Sequence, residues 1–232
     1  MDLILEGIVQ ALKLLIEGDP EVVRVTLLSL QVSLGATALS LAVGMPLGTM
    51  LALKQFPGRN IAVSFVNTGM GVPPTVVGLI AVILLWRSGP LGFTQIIYTP
   101  WAIVIAQFFI ATPVVTGITL AAVQQISPKL RLQILSLGAD RWQYFWLLIR
   151  EARLPLLAAT MAGFGAVISE VGAAIVVGGN IMGHTRVLTT AIVMESSRGN
   201  FALAIALGVI LMLIVYTVNF ALTTIQQRAR PL

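Results

Sequence analysis

A glycine-rich segment, residues 178–190, ends in several hydroxyl groups and one arginine. Glycine has no Cβ and so permits close approach to the backbone, while Asn180 and Thr185 can donate hydrogen bonds and Arg186 can offer positive charge. This chemistry suits a surface over which an oxyanion passes. An ordinary external loop explains any single one of these residues equally well, so the three are candidate pathway residues as a group.

One carboxylate, Glu170, interrupts an otherwise apolar segment, residues 164–181. A charge is costly in lipid unless it is partnered or hydrated, so this side chain must face the interior of a helical bundle. A carboxylate does not suit anion binding. We therefore favour a structural role, through hydrogen bonds to another span or across a dimer, over direct transport chemistry.

Enzymatic and metal chemistry find little support in the residue types. The sequence has no cysteine and a single histidine, His184, which alone cannot make a metal site. The apolar stretches hold no pair of carboxylates for acid–base catalysis. The motif G-x-x-x-x-G-K-[S/T] is also absent, so the chain cannot hydrolyse ATP by that route. We expect no catalytic residue, no metal site and no cofactor in this chain.

The composition predicts that membrane helices position these residues. The chain is 57% hydrophobic and 10% charged, with a mean hydropathy of +0.96, whereas soluble domains average roughly a quarter charged residues. It is predicted to be a single all-α integral membrane domain over residues 1–232. The net charge of +5 indicates basic loops that set topology and contact membrane lipid rather than binding of nucleic acid.

Five stretches are long and apolar enough to cross a bilayer, which requires roughly 20 residues. They cover about residues 25–53, 61–86, 101–123, 156–177 and 201–225. Residues 1–18 form an amphipathic helix that is predicted to lie along the membrane surface.

Two of these predicted spans contain proline. The second is interrupted by Pro73 and Pro74, which either kink a helix or leave unwound backbone beside a substrate path. In the third, Thr112 precedes Pro113, and its hydroxyl can serve a carbonyl that the proline frees. Pro73, Pro74 and Thr112 therefore join the candidate pathway residues.

A polar loop over residues 127–155 reads as two short helices joined by a turn. Gly138 can end the first helix, and Asp140 can cap the second, with Gln143 three residues later as in a capping box. Arg141 and Trp142 begin a run of aromatic residues of the kind that dominates protein interfaces. The loop is therefore predicted to dock onto a partner protein.

The basic residues favour one orientation in the membrane. If the polar loop faces the cytoplasm, nine basic residues, Arg228 and Arg230 among them, lie inside and five lie outside. The positive-inside rule then predicts an external amino terminus and a cytoplasmic carboxy terminus.

The polar loop resembles that of the permease subunits of ABC importers. Gly138-Ala139 and Leu154-Pro155 match the signature cytoplasmic loop of that family, although Leu132, Gln133 and Ile134 stand where Glu-Ala-Ala is usual. Residues 67–79, 87–92 and 169–192 look like the tungstate-importer permeases, and molybdate and sulfate permeases are close relatives.

The resemblance implies a type I ABC importer permease fold and a division of labour. Residues Gly138, Ala139, Asp140, Arg141 and Trp142 would dock onto a separate ATP-binding cassette subunit that uses ATP and magnesium. An extracytoplasmic anion-binding protein would deliver the anion, and two copies of the chain would form the path in the cytoplasmic membrane by alternating access. The expected substrate is tungstate, with molybdate or sulfate as the alternative. An ion-coupled secondary transporter is a further alternative, and ATP dependence of transport separates it.

Overall fold

The computed structural model describes residues 2–228, and side-chain surroundings from residue 4. Arg230 and the carboxy terminus lie outside this range. Within it the chain forms eleven α-helices and one short 3-10 turn, which are α1 Asp2–Glu17, α2 Pro20–Leu53, α3 Arg59–Gly71, α4 Pro74–Leu85, the turn Gly92–Thr94, α5 Pro100–Gln124, α6 Pro128–Ser136, α7 Arg141–Glu151, α8 Arg153–Ile168, α9 Gly172–Gly178, α10 Leu188–Ser197 and α11 Phe201–Arg228.

Helices α2, α5 and α11 are each long and apolar enough to cross a membrane. Helices α3 and α4 are bent by 104° at their junction, and α7 and α8 by 75°; with each bent pair taken as one span, the number of spans reaches five. The prediction of about five spans is therefore confirmed.

Helices α2 and α5 run side by side in the same direction and form the spine of the bundle. Gly44 of α2 lies against Val115, and Gly48 lies against Thr116 and Leu120 further along α5. A Cβ atom at position 48 would lie 2.6 Å from the carbonyl oxygen of Thr116. The two backbones meet closely because the contact face is built of small residues.

The first span begins earlier than the hydropathy predicts. Helix α2 starts at Pro20, a residue whose fixed φ suits the first turn of a helix. The Asp19 carboxylate accepts hydrogen bonds from the Glu21 and Val22 amides, each at 3.0 Å. Because this cap starts the helix at Pro20, the helix extends on the amino-terminal side beyond its apolar stretch. Its first turn therefore contains the charged Glu21.

The fourth predicted span, residues 156–177, is two helices rather than one. Helix α8 ends at Ile168 and α9 begins at Gly172. The physical reason is local: the Glu170 carboxylate accepts a hydrogen bond from the Ala173 amide at 2.9 Å and so starts a new helix. Helices α8 and α9 still follow α5 along its length, since Gly163 lies against Val115 and Gly178 against Ile103.

Helices α6 and α7 mark one end of the bundle, which we call the coupling end. Arg59 Nε donates to the Leu51 carbonyl at 2.7 Å, and Arg131 donates to the Val123 carbonyl, so these guanidinium groups satisfy the last turns of α2 and α5. Gln226 donates to the Leu154 carbonyl at 3.3 Å, which places the last turn of α11 at the same end.

The amphipathic helix is present as α1, and it packs against the first half of α11. Gly7 fits against Ile205 and the backbone of Ala202, and Ala11 is buried. The remaining apolar side chains of α1, Leu5 and Val9 among them, are exposed. Its placement along the membrane surface stays a prediction.

Candidate functional site

The two interruptions in the spans lie against each other. One is Val72-Pro73, between α3 and α4, and the other is residues 169–171, between α8 and α9. Gly172 at the start of α9 contacts Thr75 in the first turn of α4, and Gly78 approaches Ala173 so closely that a Cβ would lie 2.8 Å from its Cα. We call this region the paired breaks.

Two other helices, α5 and α10, hold the second break in place. Gln107 of α5 donates to the Val167 carbonyl at 3.0 Å, and Thr189 of α10 donates to the Glu170 carbonyl at 2.7 Å. Gln107 is 2% exposed, and its Oε1 has no partner among the described residues. The break is therefore a built feature whose backbone groups are met by side chains from neighbouring helices.

Glu170 is buried in this network and faces the interior of the bundle. Its carboxylate caps α9 through Ala173, and its carbonyl binds Thr189. Both contacts stabilise the break. The structural role expected from the sequence stays a prediction that this placement supports.

The paired breaks present polar but uncharged groups at the surface of the single chain. Asn67, Thr68, Thr75 and Ser169 are exposed there. The amino-terminal end of α4 has no side-chain cap, so its partial positive charge is not offset by a carboxylate as that of α9 is. No aspartate or glutamate occurs between Glu21 and Asp140. The carboxylate that the paired breaks do contain, that of Glu170, is buried and bonded to the Ala173 amide.

The predicted pathway residues in the loop of residues 179–187 form hydrogen bonds and an ion pair with other parts of the protein. The Thr185 hydroxyl is fully buried; it donates to the Gly178 carbonyl at 2.5 Å and accepts from the Ile181 amide at 2.9 Å. Asn180, at a φ of 49°, donates to Met194 Sδ at 3.3 Å. These contacts shape the loop and leave Thr185 closed to solvent.

Arg186 ties the same loop to the start of α2. Its Nη1 lies 3.0 Å from Glu21 Oε1, while the Leu188 amide donates to Ser29 Oγ at 2.8 Å. The Arg186 side chain is 8% exposed and that of Glu21 is 44% exposed. The guanidinium charge therefore serves an ion pair between loop and helix.

The predicted pathway residues are not gathered into one site. Thr112 lies within 3.3 Å of Ser40, whereas Arg186 pairs with Glu21. Ser40 and Glu21 are nineteen residues apart on α2, about 28 Å at 1.5 Å per residue. Only Pro73 and Pro74 belong to the paired breaks.

Three residues at or beside the paired breaks are not among those predicted from the sequence: Thr75, Gln107 and Ser169. For Gln107 a signal was available, because it is an amide within the uncharged stretch of the third span. Ser169 and Thr75 are ordinary residues in an apolar segment, and only the packing of α4 on α9 gives them a position of interest.

The polar loop has the predicted helix–turn–helix. Gly138 has a φ of 80°, a conformation that favours glycine. The Asp140 carboxylate accepts from the Trp142 and Gln143 amides, each at 2.8 Å, and the Gln143 side chain accepts from the Asp140 amide at 3.0 Å. This capping box fixes the start of α7.

The same loop exposes large aromatic side chains. Trp142 is 75% exposed and Trp146 64% exposed, whereas Leu148 is fully buried and anchors α7 to the bundle. Ala139 packs against the cluster around Leu148. The surface formed by Gly138–Arg150 thus presents two tryptophans from a firmly seated helix.

Over residues 2–228, no group of three or more His, Cys, Asp or Glu side chains could hold a metal ion.

The family model described as the inner membrane component of binding-protein-dependent transport systems matches residues 44–231. The chain belongs to this family. The match covers α3 to α11 completely, and hence the paired breaks and the polar loop, so both lie within the part that family members share.

Two curated relatives and one solved structure describe what this permease is similar to. The tungstate uptake system permease protein TupB of Peptoclostridium acidaminophilum is 39% identical over 227 residues, covering 98% of this chain and 100% of the relative. A probable anion ABC transporter permease protein of Haloferax volcanii is 41% identical over 202 residues, covering 85% of this chain and 87% of the relative.

The solved structure is the MetNI methionine ABC transporter. A chain of it matches the permease with a TM-score of 0.70 at 20% identity, covering 91% of this chain and 97% of that one. The type I ABC importer permease fold expected from the sequence is thereby confirmed. The permease is a transport subunit rather than an enzyme.

The role of Glu170 in the permease can be separated into charge and hydrogen bonding. Glu170→Gln keeps an oxygen that can accept from the Ala173 amide, whereas Glu170→Leu leaves α9 without its cap. We expect Leu to lower the free energy of unfolding by about 1 to 2 kcal/mol and Gln to have a much smaller effect. Thermal unfolding in detergent measures both. Equal destabilisation by the two variants would show that charge rather than the cap matters.

Proposed function

We propose that the permease forms the path through which an ATP-driven importer moves tungstate into the cell. The observation that carries this is the 39% identity to a tungstate uptake permease over 98% of the chain. Molybdate and sulfate are tetrahedral dianions of the same charge, and they are the alternative substrates. The permease itself carries no cofactor in this proposal, and ATP and magnesium are used by a separate ATP-binding cassette subunit.

The proposed path runs past the paired breaks, between two copies of the permease. Asn67, Thr68, Thr75 and Ser169 are exposed on the single chain beside helix breaks within the spans. Polar groups at that depth are disfavoured against lipid, which supports a second copy with water between the two. The Ser169 hydroxyl donates to the Gly165 carbonyl at 2.7 Å, so the neutral donors of the proposed path are Asn67, Thr68 and Thr75. Together with the uncapped start of α4, they suit an anion that must bind weakly enough to leave.

The proposed docking element for the ATP-binding subunit is the polar loop at the coupling end. Gly138, Ala139, Asp140, Arg141 and Trp142 form its turn and the first residues of α7. The capping box holds α7 rigid, and the exposed tryptophans supply contact area. A rigid docking helix is what transmits closure of an ATPase to the spans.

The proposed orientation places the coupling end in the cytoplasm. The last turn of α11 is at this end, because Gln226 binds Leu154, so the carboxy terminus is cytoplasmic and α1 starts outside. The opposite end, with residues 86–99 and 179–187, faces outward and receives the extracytoplasmic anion-binding protein. Membrane lipid surrounds the exposed apolar side chains.

The function is tested by reconstituting the permease into liposomes with its ATP-binding subunit and its extracytoplasmic binding protein. We expect uptake of labelled tungstate that requires ATP and is inhibited more by excess unlabelled tungstate than by equal concentrations of molybdate or sulfate. Uptake driven by a proton or sodium gradient without ATP would contradict the proposal and favour an ion-coupled carrier. Preferential inhibition by molybdate or sulfate would reassign the substrate.

A further inference from the structure

A lateral groove of about 660 Å³ opens between α2, α3 and α5 towards the coupling end. Its walls include Met50, Phe56, Ile61, Phe65 and Phe109. Ile61 is 76% exposed and Phe65 is 80% exposed, the highest exposed fractions among the large apolar side chains of α3. The lining from Ile61 to Gly69 runs for about 12 Å along the helix axis at 1.5 Å per residue.

The floor of the groove is apolar despite two threonines. The Thr112 hydroxyl donates to the Phe108 carbonyl at 2.6 Å, and the Thr116 hydroxyl donates to the Thr112 carbonyl at 2.7 Å. Both hydroxyl hydrogens are therefore committed within α5. An occupant of this floor gains contact with methyl groups and ring edges, which favours a hydrocarbon chain over a polar one.

Two basic residues, Lys54 and Arg59, lie within three positions of groove-lining residues in the chain. Lys54 caps α2 and is exposed, and Arg59 begins α3. The bond from Arg59 Nε to the Leu51 carbonyl, 2.7 Å long, fixes the guanidinium beside the groove and uses one of its five N–H groups. The nearest acidic residues in the sequence are Glu21 and Asp140, so α2 to α5 offer this charge no carboxylate nearby in sequence.

We propose that this groove binds an anionic phospholipid, with its phosphate at Lys54 and Arg59 and one acyl chain along Ile61 and Phe65. The apolar wall, the apolar floor and the basic end follow one another in the order of a lipid's tail and headgroup. A second copy of the chain is a poorer occupant. The two acidic residues of its polar loop are Asp140 and Glu151, and Asp140 is already used in capping α7. Glu151 is then the one carboxylate of that loop left to pair with two basic groups, so one of them would lack a charge partner.

The test is native mass spectrometry of the full-length permease in detergent, titrated with dioleoyl phosphatidylglycerol or dioleoyl phosphatidylcholine. We expect one saturable phosphatidylglycerol per chain and weaker binding of phosphatidylcholine. Lys54→Gln should weaken phosphatidylglycerol binding roughly fivefold, the factor that corresponds to about 1 kcal/mol for one lost basic residue. Lys54→Glu should weaken it further.

Arg228→Gln is the matched control, because Arg228 is an exposed basic residue at the same end but on α11. It should leave this binding unchanged. Equal binding of the two lipids, equal effects of the Lys54 and Arg228 variants, or displacement of the lipid by millimolar glycerol phosphate would each overturn the proposal. The last result would assign the basic end to a soluble phosphate. None of these outcomes depends on which anion the permease transports.

Discussion

Replacing both Trp142 and Trp146 with alanine is expected to weaken binding of the ATP-binding subunit by roughly 30-fold or more. The two side chains are four residues apart on α7 and so share a face, and they are 75% and 64% exposed. A tryptophan at the centre of an interface commonly contributes about 2 kcal/mol or more. The buried Leu148 keeps α7 seated in the variant, so the loss reports on contact with the partner.

Binding is measured with the permease in nanodiscs and the purified ATP-binding subunit in solution. Trp101→Ala is the control, because Trp101 is also well exposed, at 66%, but begins α5 at the opposite end of the bundle. Its affinity for the ATP-binding subunit should match that of the unchanged permease. A change of less than twofold in the Trp142 and Trp146 double variant would rule out α7 as the main docking element.

Gly78→Ala is expected to destabilise the permease by about 1 to 3 kcal/mol, the usual cost of overpacking a close contact. The added Cβ would lie 2.8 Å from Ala173 Cα, 3.2 Å from its Cβ and 3.4 Å from its carbonyl oxygen. Two of these are backbone atoms, so the strain can be relieved only by moving α4 away from α9. We therefore expect both a lower unfolding temperature and reduced tungstate uptake per folded molecule, since the paired breaks would separate.

Gly208→Ala gives the matched comparison within another span. A Cβ at position 208 of α11 meets nothing within 4 Å, and alanine is favoured over glycine inside a helix by roughly 0.5 to 1 kcal/mol. This variant should be as stable as the unchanged permease or slightly more stable. If Gly78→Ala matched it in unfolding temperature and in uptake, the close packing of α4 on α9 would not matter to the permease.

Charged and neutral polar groups differ in how they are used at the loop of residues 179–187 and at the paired breaks. Arg186 forms an ion pair with Glu21, and the Thr185 hydroxyl donates a hydrogen bond within its own loop. The groups that stay exposed beside the spans, such as Thr75 and Ser169, are neutral. In the proposed path, weakly interacting groups of this kind would suit a subunit that receives an already selected anion from a partner.

The sequence by itself determined the features that depend on neighbouring residues. Composition and the length of apolar stretches predicted a membrane bundle of about five spans. The spacing of Asp140 and Gln143 predicted the capping box of α7, because such a cap is closed within three residues. The cost of a lone charge in lipid placed Glu170 towards the interior.

Only the tertiary structure decided which distant residues meet. Thr75 contacts Gly172, and Arg186 pairs with Glu21, 165 positions away. Glu170 caps α9 locally through Ala173, but the Thr189 hydroxyl that binds its carbonyl reaches it only through the packing of α10 against the break. Hydropathy and residue spacing indicate which secondary structure a segment favours in the absence of its neighbours in the fold. The partner that a buried polar group finds is set by how helices pack, and no local pattern contains that information.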